Sequence, residues 1–157
     1  MATQYTAGLS AGQILTAATM NQIGAAWETW TPALTASTTN PNLGTTGTAT
    51  GRYARIQKIV IGQAQFVFGG AGIAAGVGFY YCSIPITAQS AGWTVGNMIA
   101  IDVSTFATTN NTAALDTTAR LIGYGTGGAG LAASIQAGTY PWAAGDIIRV
   151  NFCYEAA

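Results

Sequence analysis

Arg52-Tyr53-Ala54-Arg55-Ile56, joined through Gln57-Lys58 to Ile59-Val60-Ile61-Gly62-Gln63-Ala64-Gln65-Phe66-Val67-Phe68, sets the period for the whole chain. Side chains alternate across an extended strand. Ile59, Ile61, Gln63, Gln65 and Val67 therefore share one face, and Val60, Gly62, Ala64, Phe66 and Phe68 share the other. The second set carries the aromatic bulk and is the expected core face. Arg52–Ile56 alternates more loosely, with Arg52 and Lys58 on one parity and Arg55 on the other.

The same extended signal recurs outward from this stretch. GFYYCSIPI (78–86) is strongly β-prone, and Pro85, which has no N–H to donate, ends its ladder. NMIAIDVSTF (97–106), ARLIGYG (119–125), GLAASIQ (130–136) and DIIRVNFCY (146–154) come next, each bounded by Gly, Asn, Asp, Thr or Pro. Residues 30–51 are rich in Thr, Asn, Gly and Pro and read as turns and extended edges. GGAGIAAGVG (69–78) reads as a flexible connection. Seven or eight short strands with turn signals between them predict an antiparallel sandwich or barrel. There is no internal repeat, no coiled-coil heptad and no collagen triplet.

Residues 1–30 differ. Ile14, Leu15, Ala18, Met20, Ile23 and Trp27 fall partly on one side of a short helix, which Ser10 or Thr16 is placed to cap and Gly24 to weaken. So short a helix needs a surface to dock on. The readings are an attachment arm, in which Ile14, Leu15, Met20, Ile23, Trp27 and Trp30 are the apolar anchors, a helix packed on its own domain, and a disordered segment. The expected division is an arm over 1–30 and a β domain over 31–157.

Composition narrows the chemistry. Of 157 residues, 50% are hydrophobic and only 6% charged, against roughly 25% in ordinary soluble proteins. Five Lys and Arg balance five Asp and Glu, so no net field gathers nucleic acid or anionic lipid. There is no histidine, which removes the commonest general base and metal ligand and every Ser-His or Cys-His nucleophile. No apolar run is long enough for a membrane span, and MATQYTAGLSAGQ lacks the basic and apolar regions of a signal peptide. The expectation is synthesis in the cytoplasm, with no nucleic-acid or membrane partner. So neutral and apolar a monomer is prone to self-association, which burial in a homo-oligomer or larger particle relieves.

Individual motifs add little catalytic promise. Gly123, Gly125 and Gly128 fit G-x-G-x-x-G, with Asp146 downstream, but LAASIQAGTYPWAAG (131–145) reads as a strand and a turn rather than the helix such a fingerprint requires. The acids Glu28, Asp102, Asp116, Asp146 and Glu155 show no catalytic or calcium-loop spacing. Asp146 reads instead as a turn residue bonding nearby backbone N–H groups. No cofactor, metal ligand or catalytic residue is expected. Cys82 and Cys153 are too few for a disulfide scaffold, and whether they pair is left open. Arg52, Arg55 and Lys58 form either a patch toward a partner or a solvated edge strand. Trp93 and Trp142, with the other tryptophans and tyrosines, suit glycan stacking, subunit interfaces or the core equally well.

Four stretches together resemble small virion proteins of tailed bacteriophages and prophages: AGQILTAATMNQIGAAWETWTP (11–32), TTNPNLGTTGTATGRYARIQKIVIGQAQFVFG (38–69), GFYYCSIPITA (78–88) and WAAGDIIRVNFCYEAA (142–157). The matching residues include Thr16, Met20, Asn21, Trp27, Trp30, Pro32, Gly51, Arg52, Tyr53, Gly145, Asp146, Tyr154 and Glu155. The chain departs from that pattern at Gln57, where a glycine is usual. The resemblance implies a jelly-roll-like β-sandwich assembling as a homotrimer on the virion surface, with no catalytic residues. It also implies one of two roles. One is a capsid decoration, or cement, protein that binds and stabilises the major-capsid lattice. The other is a minor tail or short tail-fibre module contacting host surface glycans, with Arg52, Arg55, Lys58, Trp93 and Trp142 as candidate contacts. The absence of shaft-like repeats between arm and sandwich favours the compact decoration knob.

Overall fold

In a computed structural model, residues 26–125, 136–137 and 141–157 are described. Among them the chain is all-β, with ten strands and no helix: β1 (Glu28–Trp30), β2 (Leu34–Ala36), β3 (Thr48–Ile56), β4 (Ile59–Val67), β5 (Gly78–Ser83), β6 (Thr94–Ile101), β7 (Thr108–Thr117), β8 (Arg120–Gly125), β9 (Gln136–Ala137) and β10 (Ile147–Glu155). Of the expected helix, Ile14, Leu15, Ala18, Met20 and Ile23 lie outside the described residues, and Trp27 is in irregular chain before β1; most of the expected strand at 130–136 also lies outside them.

Nine strands form one antiparallel path in the order β1-β3-β4-β10-β6-β7-β8-β5-β2, and β9 pairs with β5 off that path. The two ends of this path, β1 and β2, are separated by only Thr31, Pro32 and Ala33. Four Cα steps reach at most about 14 Å. The sheet must therefore curl until its first and last strands are near neighbours, enclosing one core. Ala33 extends the β2–β5 ladder, donating its N–H to Ser83 Oγ at 2.9 Å and accepting from Ser83 N at 3.0 Å.

The β3–β4 hairpin forms as its alternation predicts: Val60, Ala64, Phe66 and Phe68 are buried, while Ile59, Ile61, Gln63 and Gln65 lie on the outer face. Gln57 adopts φ 55°. The two-residue turn thus survives with a side chain in the left-handed conformation that glycine adopts freely. From the other strands Tyr80, Cys82, Met98, Leu115, Leu121, Ile148, Val150 and Phe152 complete one continuous core. Gly62 makes room for it, since a Cβ there would strike the Phe152 ring.

The structure adds one strand that was not expected and places several expected segments. β7, the sequence TTNNTAALDT, is a full ten-residue strand inside a stretch that carries no apolar run. Its inward positions are Asn111, Ala113 and Leu115. Strand β3 begins at Thr48 and β2 covers Leu34–Ala36, so parts of the turn-rich segment are sheet. Gly123 and Gly125 lie within β8, and Gly128 is outside the described residues. Glu28–Trp30, at the end of the expected arm, is a strand paired with β3.

Candidate binding surface on the outer wall

The register of β1, β3, β4, β10 and β6 stacks their outward residues into cross-strand rows. Thr29 faces Arg52, Arg52 faces Gln63, Gln63 faces Asn151, and Asn151 faces Asn97. The next row toward the Thr48 end joins Thr50, Gln65, Arg149 and Ile99. Toward the Gln57 turn the chemistry changes: Ala54, Ile61 and Cys153 form one row, then Ile56, Ile59 and Glu155. One wall therefore carries a polar half and an apolar half.

The polar half holds a shallow depression of about 550 Å³ lined by Thr29, Thr50, Gly51, Arg52, Gln63, Ala64, Gln65, Arg149 and Asn151. No acid lines it among the described residues. With the Gln63 amide oxygen turned toward Arg52, it accepts from Nη2 at 2.8 Å and Nε at 2.5 Å. Arg149 Nε donates to Gln65 Oε1 at 3.3 Å, and Asn151 Nδ2 donates to Asn97 Oδ1 at 3.1 Å. The Arg52 guanidinium also lies 5.0 Å from the Trp27 ring centroid, a cation–π contact that steadies it from the side of β1. In the apolar half Ile56, Ile59 and Ile61 are 48%, 50% and 42% exposed.

The structure separates the residues that the sequence had grouped. Arg52 lines the depression, whereas Arg55 sits on the opposite face of β3 and donates Nε to the Gln57 carbonyl at 2.7 Å. Lys58, in the turn, meets exposed Glu155 at 3.7 Å, a contact worth little in water. Trp93 is 67% exposed and donates its indole N–H to Ser90 Oγ at 3.0 Å. Trp142 is not a surface contact: it is buried, stacks on Phe68 at 4.3 Å between centroids, and donates Nε1–H to Tyr80 Oη at 2.8 Å. Trp30 also turns toward the core, edge-on to Phe152. Trp27 stays half exposed. Ile14, Leu15, Met20 and Ile23 lie outside the described residues.

Four of the five acids, all but Glu155, have structural work. Asp146 is buried and accepts from Val103 N at 3.0 Å and Ala143 N at 2.8 Å, which ties the turn before β10 to the β6–β7 loop as its turn context predicts. Asp102 caps its own loop, and hydrogen bonds from Ser104 and Thr105 hold its carboxyl below the usual range. Asp116 grips Arg120 at 2.6 Å, and that guanidinium covers the Tyr81 ring at 3.9 Å. Glu28 accepts from Tyr53 Oη at 2.6 Å; this bond and burial push the Tyr53 phenol up to about 12. Among the described residues no three of His, Cys, Asp and Glu cluster as a metal site would require. Both cysteines are free; burial drives the Cys82 thiol pKa well up, and Cys153 lies on the outer wall.

Sequence reasoning missed Gln63, Gln65, Arg149 and Asn151 as a group. Gln63 and Gln65 were legible as outward residues, but Arg149 and Asn151 join them only because β10 pairs with β4 across some eighty residues of chain. Compared with protein-family models, curated proteins and solved structures, the chain matched none.

Proposed function

We propose that this chain is a structural protein of a tailed-bacteriophage virion, a capsid decoration protein whose homotrimers form jelly-roll-like knobs on the major-capsid lattice. The observation that carries the reading is the Ile56, Ile59 and Ile61 patch on a chain with so few charges. An isolated monomer would leave these side chains half in water. Burying the exposed half of each would contribute roughly 1 kcal/mol per residue, enough across a symmetric assembly to favour self-association. A trimer built this way keeps its curled sheets rigid and leaves residues 1–25 to reach the shell. Stabilisation is then mass action: a protein that binds the intact shell and not the broken one shifts the balance toward the intact form.

The test has two parts. Light scattering on the full chain should give three times the monomer mass, and Ile59→Glu should give monomers. A variant lacking residues 1–25 should remain trimeric and lose binding to undecorated shells. The truncation stops there because Glu28–Trp30 belong to the sheet. A monomeric full chain, or shell binding undiminished by the truncation, would overturn the reading. The tail-module alternative draws on a different observation, the exposed Trp93 and the polar depression on the outer wall.

A further inference from the structure

We propose that the depression between Arg52 and Arg149 is a binding site for an acidic saccharide, a sugar bearing a carboxylate. The chemistry of the ladder carries this, not the chain's place on a particle. The two arginines lie on β3 and β10, one row apart with β4 between them. From the strand spacing and rise their Cα atoms are about 12 Å apart, and the guanidinium ends can converge over Gln63 and Gln65. Each is held by a neutral amide rather than by an acid. Arg52 commits Nε and Nη2 to Gln63, which leaves Nη1 free to donate; Arg149 commits Nε alone. Such N–H groups match a carboxylate, whose two oxygens accept in the plane of the guanidinium.

The rest of the lining selects the remainder of the ligand. Gln63, Gln65 and Asn151 each offer both donor and acceptor, and Thr29 and Thr50 add hydroxyls. Alternating donors and acceptors at strand spacing suit a ring of hydroxyl groups. An acidic peptide is a poorer match. β3, β4 and β10, which carry all of the lining except Thr29, are each paired on both sides, so an incoming peptide finds no open edge among them for main-chain hydrogen bonds. Its lining also holds no large apolar pocket to receive an anchor side chain. With a net charge of zero, any anion preference must come from this local arrangement.

The experiment is calorimetric titration of the full chain at low salt with trigalacturonic acid, maltotriose and a tetraglutamate peptide. Saturable binding of trigalacturonic acid is expected, at least tenfold weaker for maltotriose and for the peptide. Arg149→Gln should weaken it at least tenfold, and Gln65→Glu should weaken it further by setting a negative charge in the ladder. Both sites are on the outer face, and circular dichroism would verify that the variants fold. Lys58→Gln, outside the depression, should bind as the parent does. The proposal fails if trigalacturonic acid does not bind, if Arg149→Gln binds as tightly, or if Lys58→Gln is weakened equally. It also fails if tetraglutamate binds as well as the sugar, which would assign the face to a protein partner.

Discussion

Replacing Asn111 with valine should make this protein more stable. Asn111 faces inward from β7, is 2% exposed, and has no hydrogen-bond partner for either its Nδ2 or its Oδ1. Its strand partners are Met98 and Gly125, and its Cβ lies beside the Gly123 backbone, so its surroundings are largely apolar. Leaving a buried polar group unpaired costs about 1–3 kcal/mol. Valine removes both polar atoms, suits a strand, and is one heavy atom smaller, so a small void of about 1 kcal/mol offsets part of the gain. The net is up to about 2 kcal/mol of added stability, or at most roughly 8 °C in Tm for a domain of this size. Urea unfolding and calorimetry at one fixed protein concentration would measure it, with Asn111→Asp as the opposite control. An unpaired buried carboxylate should cost several kcal/mol. A loss of 1 kcal/mol or more in Asn111→Val would refute the reasoning and mean that a water or another chain satisfies the amide.

Three further outcomes are expected from the same geometry. Gln57→Gly should gain about 0.5–1 kcal/mol, because the left-handed turn position strains a side chain by more than the extra freedom of glycine costs; a lower urea midpoint would count against the turn as described. Trp142→Ala should lose about 3–5 kcal/mol by emptying the stack on Phe68 and stripping Tyr80 of its indole donor, whereas a mild loss in calorimetry would mean the ring is not a core residue. Tyr80, raised to about 12 mainly by burial, and Tyr53, raised to about 12 mainly by its bond to Glu28, keep their protons longer when folded than when unfolded. Their contribution is complete below pH 10 and is lost between pH 10 and 12, so the urea midpoint should fall over that interval and fall less in Tyr80→Phe.

The strand faces were legible wherever bulky residues alternate with polar ones. The 52–68 hairpin and the last strand read correctly because burial leaves a period-two imprint. Strand β7 did not, because of its inward residues Asn111, Ala113 and Leu115 only the last is bulky, and its Thr-Thr-Asn-Asn start imitates a turn. Trp142 lies outside the regular strands, and partners far away in sequence, Phe68 and Tyr80 among them, make it a core residue. Single positions of the outer ladder were visible as outward residues. Their union was not, because strand order is set by tertiary pairing: β10 inserts between β4 and β6, and no local pattern announces that neighbour.

The central claim is that this chain decorates a virion head. A cryo-EM reconstruction of virions assembled with the chain tests it most directly. Knob density is expected at local threefold positions across the head, matched by the curled ten-strand sheet, with the N-terminal side toward the shell. Density confined to the tail, or none anywhere on the particle, would contradict it.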